Sequence, residues 1–181
     1  MILLVEFTNR LLGIFELPGN VREEFFRVRF AVGLEVSVIG LDDSFHDLPG
    51  EKYLRYVPNT DHSLSSPEAA LNLVSWTIAV IGNYPRPRFY WRAHREQGAI
   101  LLRTLDPPSK VVVWKASNPR ARDFRLETIG PVWQSTPVTG DKGIYFVETP
   151  KPEQGWTAFF LELTYPGPLE NLPLVFTTEV V

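Results

Sequence analysis

Tyr56-Val57-Pro58-Asn59-Thr60-Asp61-His62-Ser63-Leu64 joins an apolar strand to a helix through a polar turn. Tyr53 to Val57 reads as the strand, and Pro-Asn-Thr-Asp is turn chemistry. Ser66 stands at the N-cap position, Pro67 at the first helical position, and Glu68 faces the positive helix end. Leu73, Trp76 or Thr77, and Val80 recur at helical spacing through Ile81, and Gly82-Asn83 ends the helix. A loop between a strand and a capped helix holds an imidazole at a sheet edge. His62 is therefore the first candidate catalytic residue.

Upstream, Leu34 to Ile39 is a β-branched run that stops at Gly40, a strand pattern. Leu41-Asp42-Asp43-Ser44 follows as a polar loop. A carboxylate after a strand is where an open α/β sheet places functional groups, and the same composition also makes an ordinary turn. Asp42 or Asp43 would be the acid partner of His62, since acid before histidine is the α/β-hydrolase chain order. That chemistry also needs a serine on a Gly-x-Ser-x-Gly elbow. Ser37 has no glycine two residues before or after it, and Ser44 follows the acid, so no elbow is found. Residues 1–33 carry no single reading. Arg22 to Phe26 suit a short helix, while Phe26, Val28 and Phe30 alternate like a strand.

Downstream, Tyr84-Pro85-Arg86-Pro87 reads as a stiff connector and a domain boundary. Seven strand candidates follow: Phe89 to Ala93, Ala99 to Thr104, Lys110 to Ala116, Val132 to Thr136, Gly143 to Glu148, Trp156 to Tyr165 and Leu174 to Val181. Short strands between Pro, Gly, Asp and Asn turns predict an antiparallel β-sandwich. Arg88, Tyr90, Arg92 and His94 fall on one face of their strand and Phe89, Trp91 and Ala93 on the other, a solvated basic face over a core face. Arg120-Ala-Arg122-Asp123-Phe-Arg125 is a polar connection in which Arg122 or Arg125 pairs with Asp123 to pin the loop.

Composition bounds the function. A chain of 181 residues, 44% hydrophobic and 13% aromatic, has enough apolar material for a packed core. A net charge of -3 argues against a general nucleic-acid binder. Without cysteine, disulfides and thiol catalysis are excluded; three histidines argue against a metal cluster, and no cofactor is expected. No segment reads as a membrane span. Glu6 and Arg10 break the apolar start, so it does not read as a signal peptide.

Three long stretches resemble the PhoPQ-activated pathogenicity-related protein family: Leu48-Pro-Gly-Glu-Lys-Tyr-Leu-Arg-Tyr-Val-Pro-Asn-Thr-Asp-His62, Val113-Trp-Lys-Ala-Ser-Asn-Pro-Arg-Ala-Arg-Asp-Phe-Arg-Leu-Glu-Thr-Ile-Gly130 and Gly155-Trp-Thr-Ala-Phe-Phe-Leu-Glu-Leu-Thr164. Shorter matches at Pro87 to Trp91, Trp133 to Pro137 and Pro173 to Thr178 extend the likeness over about residues 45–181. The resemblance implies an α/β-hydrolase-like, usually exported bacterial protein of unestablished substrate. It places His62 at the hydrolase histidine and Asp42 or Asp43 at its acid. The chain would correspond to the C-terminal portion of such a protein. Residues 1–84 would be a partial α/β-hydrolase-like sheet and helix, and residues 85–181 a β-sandwich. Lacking the nucleophile, it is expected to be inactive alone. If active, its substrate would be a small molecule or an ester- or peptide-type compound. The alternatives are a non-catalytic binding or scaffolding module, and one half of a split hydrolase. A partner chain or a second copy would then cover the incomplete sheet.

Overall fold

The run from Trp156 to Tyr165 carries large side chains on both alternating faces, the pattern of a strand covered on two sides. The computed structural model describes residues 2–7, 27–29, 34–37, 51–61 and 66–181, the first three segments through their strand backbone. In chain order these hold β1 (Ile2–Phe7), β2 (Arg27–Arg29), β3 (Leu34–Ser37), β4 (Glu51–Tyr56), helix α1 (Pro67–Ile81), β5 (Phe89–His94), β6 (Ala99–Thr104), β7 (Lys110–Asn118), the short helix α2 (Leu126–Ile129), β8 (Gln134–Pro137), β9 (Ile144–Glu148), β10 (Trp156–Leu169) and β11 (Leu172–Thr177). The chain divides into two compact units, Ile2–Tyr56 and Val57–Val181.

In the first unit the strand order is β2-β3-β1-β4. Every described pairing there is antiparallel, with Val5 opposite Val36 on one side and Tyr53 on the other. Tyr53, Leu54, Arg55 and Tyr56 are all buried, so β4 is covered on both faces. This arrangement corrects the expected α/β-hydrolase-like remnant. A β-branched or apolar run looks alike in parallel and antiparallel sheets, and the non-local partner decides between them. Here the partner of β4 is β1, the apolar start of the chain.

In the second unit the four strands β11-β10-β7-β8 form one antiparallel sheet and β5-β6-β9 another. All seven strand candidates are strands, with ends that differ by a few residues. β10 pairs with β7 from Trp156↔Asn118 to Thr164↔Lys110 and with β11 on its other side. Its residues Ala158 to Leu163 are buried without a break. The two sheets meet through Phe89 of β5. Its ring stacks on Trp91 and Tyr165 and touches Phe176, at centroid distances of 6.0, 6.0 and 5.8 Å.

Helix α1 begins at Pro67 after Ser66 and is followed by Gly82, as its caps predict. Of the expected spacing, Trp76 is buried, while Leu73 and Val80 are half-buried. Ala69, Asn72, Ser75, Trp76 and Ala79 are buried, while Leu71, Val74 and Ile81 are exposed. Small residues let the helix approach β10 and β11 closely. The Trp76 ring meets Phe176 edge-on, and the Ser75 hydroxyl donates to the Leu172 carbonyl at 2.7 Å. The helix thus packs on antiparallel strands and not on a parallel sheet.

β9 starts from a tight turn. Lys142 and Gly143 both have positive φ, 49° and 78°, and Asp141 and Ile144 exchange both backbone hydrogen bonds. Two left-handed residues between paired strand ends make the twisted hairpin turn that glycine favours.

Removing the Phe89 ring should be costly, because it lies between two sheets that cannot collapse onto one side chain's absence. Phe89→Ala is expected to destabilise the chain by about 3–5 kcal/mol, and Tyr90→Ala on the opposite face by less than about 0.5 kcal/mol. Urea denaturation of the two variants checks the contrast.

Candidate functional site

The turn after β4 is fixed by one residue. Asn59 has φ 53°, a left-handed conformation that asparagine tolerates better than most residues. Its side-chain amide donates to the Trp133 carbonyl at 2.9 Å and its carbonyl accepts from the Trp133 amide at 3.0 Å. Trp133 is itself seated. Its indole N–H donates to the Phe124 carbonyl at 3.3 Å, and its ring lies 5.3 Å from Phe160 and 6.1 Å from Phe124.

The β7–β8 connection that carries Trp133 is ordered by side chains bonding to backbone. Buried Asn118 donates to the Asp123 carbonyl at 2.7 Å and accepts from the amides of Arg120 and Ala121. Asp123 accepts from the Arg125 guanidinium through both oxygens, at 2.9 and 2.6 Å, and from the Thr128 hydroxyl at 2.8 Å. These hydrogen bonds, that from Arg125 first, hold the Asp123 carboxyl well below the usual carboxylate range. Of the two partners the sequence allowed, Arg125 is the one engaged. Arg120 and Arg122 are exposed and form no ion pair among the described residues.

His62, Asp42 and Asp43 lie outside the described residues. The structure brings Asn59, three positions before His62, onto the Trp133 connection. It gives no geometry for a histidine–acid pair. Among the described residues no group of three or more His, Cys, Asp or Glu side chains is placed to hold a metal ion. No described helix is long and apolar enough to cross a membrane.

A second location stands out on the outer face of β5-β6-β9. Strand register sets two rows there: Tyr90–Arg103–Ile144 and Arg92–Leu101–Phe146. Tyr90 is 62% exposed, Leu101 40%, Ile144 50% and Phe146 59%. Arg92 and Arg103 are exposed and form no ion pair among the described residues, although nearby Arg88 binds Asp106 at 3.0 Å and Arg95 lies 3.9 Å from Glu179. The β5 part of this face, Tyr90 and Arg92, is legible in the sequence, where it reads as solvated and basic. Leu101, Arg103, Ile144 and Phe146 are not, because cross-strand register between distant segments is not written in a local period. The available signal was the alternation of Ile144 and Phe146 with Tyr145 and Val147, which puts apolar side chains on both faces of an edge strand.

Residues 41–125 match the family described as PhoPQ-activated pathogenicity-related protein. The autocrine proliferation repressor protein A of Dictyostelium discoideum is 34% identical over 154 residues, which is 72% of this chain and 31% of that protein. The chain therefore spans about a third of the length of this relative. No solved structure matches it.

Asn59→Gly keeps the left-handed turn and removes both bonds to Trp133, while Asn59→Ala also adds backbone strain. Expected losses are about 1–3 kcal/mol for glycine and about 1 kcal/mol more for alanine, read from denaturation midpoints. For Asp123 the folded pKa lies below the unfolded one. Its stabilisation is complete above the unfolded value, about 4, and fades as pH falls toward the folded one. Asp123→Asn should therefore flatten the stability profile below about pH 4. An unchanged acid slope would remove the Asp123–Arg125 pair from the loop's stabilisation.

Proposed function

We propose that this chain, which belongs through residues 41–125 to the PhoPQ-activated pathogenicity-related protein family, works as a non-catalytic binding module. The observation that carries this reading is the outer face of β5-β6-β9, where four large apolar side chains surround two guanidiniums, those of Arg92 and Arg103, that form no ion pair among the described residues. Aromatic residues and arginine are enriched in the cores of protein interfaces, and exposed apolar patches on soluble proteins mark contact sites. The Dictyostelium relative is named as a repressor of proliferation, a title that suits action through binding. The 181 residues also contain no Gly-x-Ser-x-Gly elbow.

A photo-crosslinking amino acid placed at Tyr90 or Phe146 of the intact chain tests the face. With extract of the source cells, each position should yield the same discrete adduct. The same group at exposed Glu153 should yield none. Equal labelling from all three positions, or none from any, would overturn the module reading. Labelling of the chain by a fluorophosphonate probe at any serine would overturn its non-catalytic part.

A further inference from the structure

We infer that the partner of this face is an extended acidic polypeptide segment that adds to the free edge of β9. The inference rests on the binding-module reading and names its partner. Backbone geometry supplies the first half. Thr104 donates to the Gly143 carbonyl and Thr149 to the Gly98 carbonyl. By the two-residue alternation of an antiparallel ladder, Tyr145 and Val147 also bond toward β6. Ile144, Phe146 and Glu148 then aim their amides and carbonyls at the opposite edge. Those of Ile144 are taken by Asp141. Those of Phe146 and Glu148 meet no partner among the described residues. β9 is the end strand of its sheet, and two donors and two acceptors stand open along it.

An open edge of this kind is a template for another strand, and native proteins blunt such edges with lysine, proline or bulges. β9 has an exposed Phe146 and Ile144 instead. Main-chain pairing selects a polypeptide over a sugar or a nucleic acid, which present no amide ladder. Side-chain chemistry supplies the second half. Tyr90 pairs with Arg103 and Arg92 with Leu101, so Arg92 and Arg103 are diagonal neighbours, about 7–8 Å apart. Neither is paired with a carboxylate among the described residues. Glu148, opposite Ala99, is the acid on the outer side of β9. Two guanidiniums across an apolar floor call for carboxylates carried among apolar side chains. A segment paired with β9 at Phe146 and Glu148 would run its outward side chains over Phe146 toward them.

The test uses the intact chain and the end-blocked peptide Glu-Val-Glu-Leu-Glu-Val-Glu, followed by amide NMR. Saturable shifts centred on the Phe146 and Glu148 amides are expected, with slowed hydrogen exchange at both. Arg92→Ala with Arg103→Ala should weaken binding about five- to tenfold, the range of two exposed charge pairs. The peptide with lysine for glutamate should not bind, and N-methylation of alternate amides should abolish binding in one of its two registers. Equal affinity for the lysine peptide, or for the double arginine variant, would sink the acidic partner. Equal affinity for both N-methylated registers would sink edge pairing. Displacement by millimolar inorganic phosphate alone would reduce the face to a simple anion site. If these outcomes fail while crosslinks still form at Tyr90 and Phe146, the module reading survives and this partner does not.

Discussion

The unbroken burial of β10 is the constraint on which the second unit depends. A strand whose residues Ala158 to Leu163 are all buried must have a layer on each side. Phe159, Leu161, Leu163 and Tyr165 share one face, and Tyr165 meets Phe89 of the opposing sheet. Phe160 points the other way, against Trp133. Each fully buried side chain of this size contributes about 1.5–3 kcal/mol, so both layers are held by apolar contact and not by hydrogen bonds alone. Glu162 is the polar exception in the buried run, and its carboxylate accepts from the Trp114 indole at 3.0 Å. That bond lets a charged residue sit in a covered face at tolerable cost.

The second layer is an irregular connection whose backbone is bonded largely by side chains. From Asn118 to Trp133 the chain has only one short helix, α2, to satisfy its backbone. Asn118, Asp123 and Asn59 supply the missing partners from side chains, and Trp133 anchors the far end through two rings. The Asn59 turn is therefore fixed from the sandwich side, by a residue 74 positions away in sequence. The turn before His62 is thus tied to Trp133, which is itself packed on Phe124 and Phe160.

What the sequence made legible follows from the range of each signal. The seven strands from Phe89 onward and the helix caps at Ser66-Pro67 and Gly82 are local patterns, and they are where the structure has them. Strand sense is not local. Leu34 to Ile39 and Tyr53 to Val57 read as strands of an open α/β sheet, yet β1 pairs antiparallel with both β3 and β4. The helix face was legible only in part. Apolar spacing pointed to Leu73, Trp76 or Thr77, and Val80, and of these Trp76 is buried, while the close approach to β11 selected the small residues Ala69, Ser75 and Ala79 around it. The candidate residues His62, Asp42 and Asp43 came from loop chemistry and resemblance, and the described structure reaches only to the turn beside them. The outer face of β5-β6-β9 needed the register of three strands, which no single segment encodes.

That face is large enough to matter and too small to act by apolar contact alone. Four side chains about half exposed, at about 150–250 Å² each for the aromatic ones, leave on the order of 400 Å² of apolar surface. At about 25 cal/mol per Å², covering it yields about 10 kcal/mol. Association costs about 4–15 kcal/mol in lost freedom, so the apolar term roughly cancels. Any useful affinity must then come from the polar groups around the patch. Those are the guanidiniums of Arg92 and Arg103 and the open backbone groups of Phe146 and Glu148. A partner that fits the apolar floor but offers neither carboxylates nor a free strand edge gains nothing over solvent. In the proposed binding role, specificity on this face would be set by its few polar groups, and the apolar surface would mainly keep water away from them.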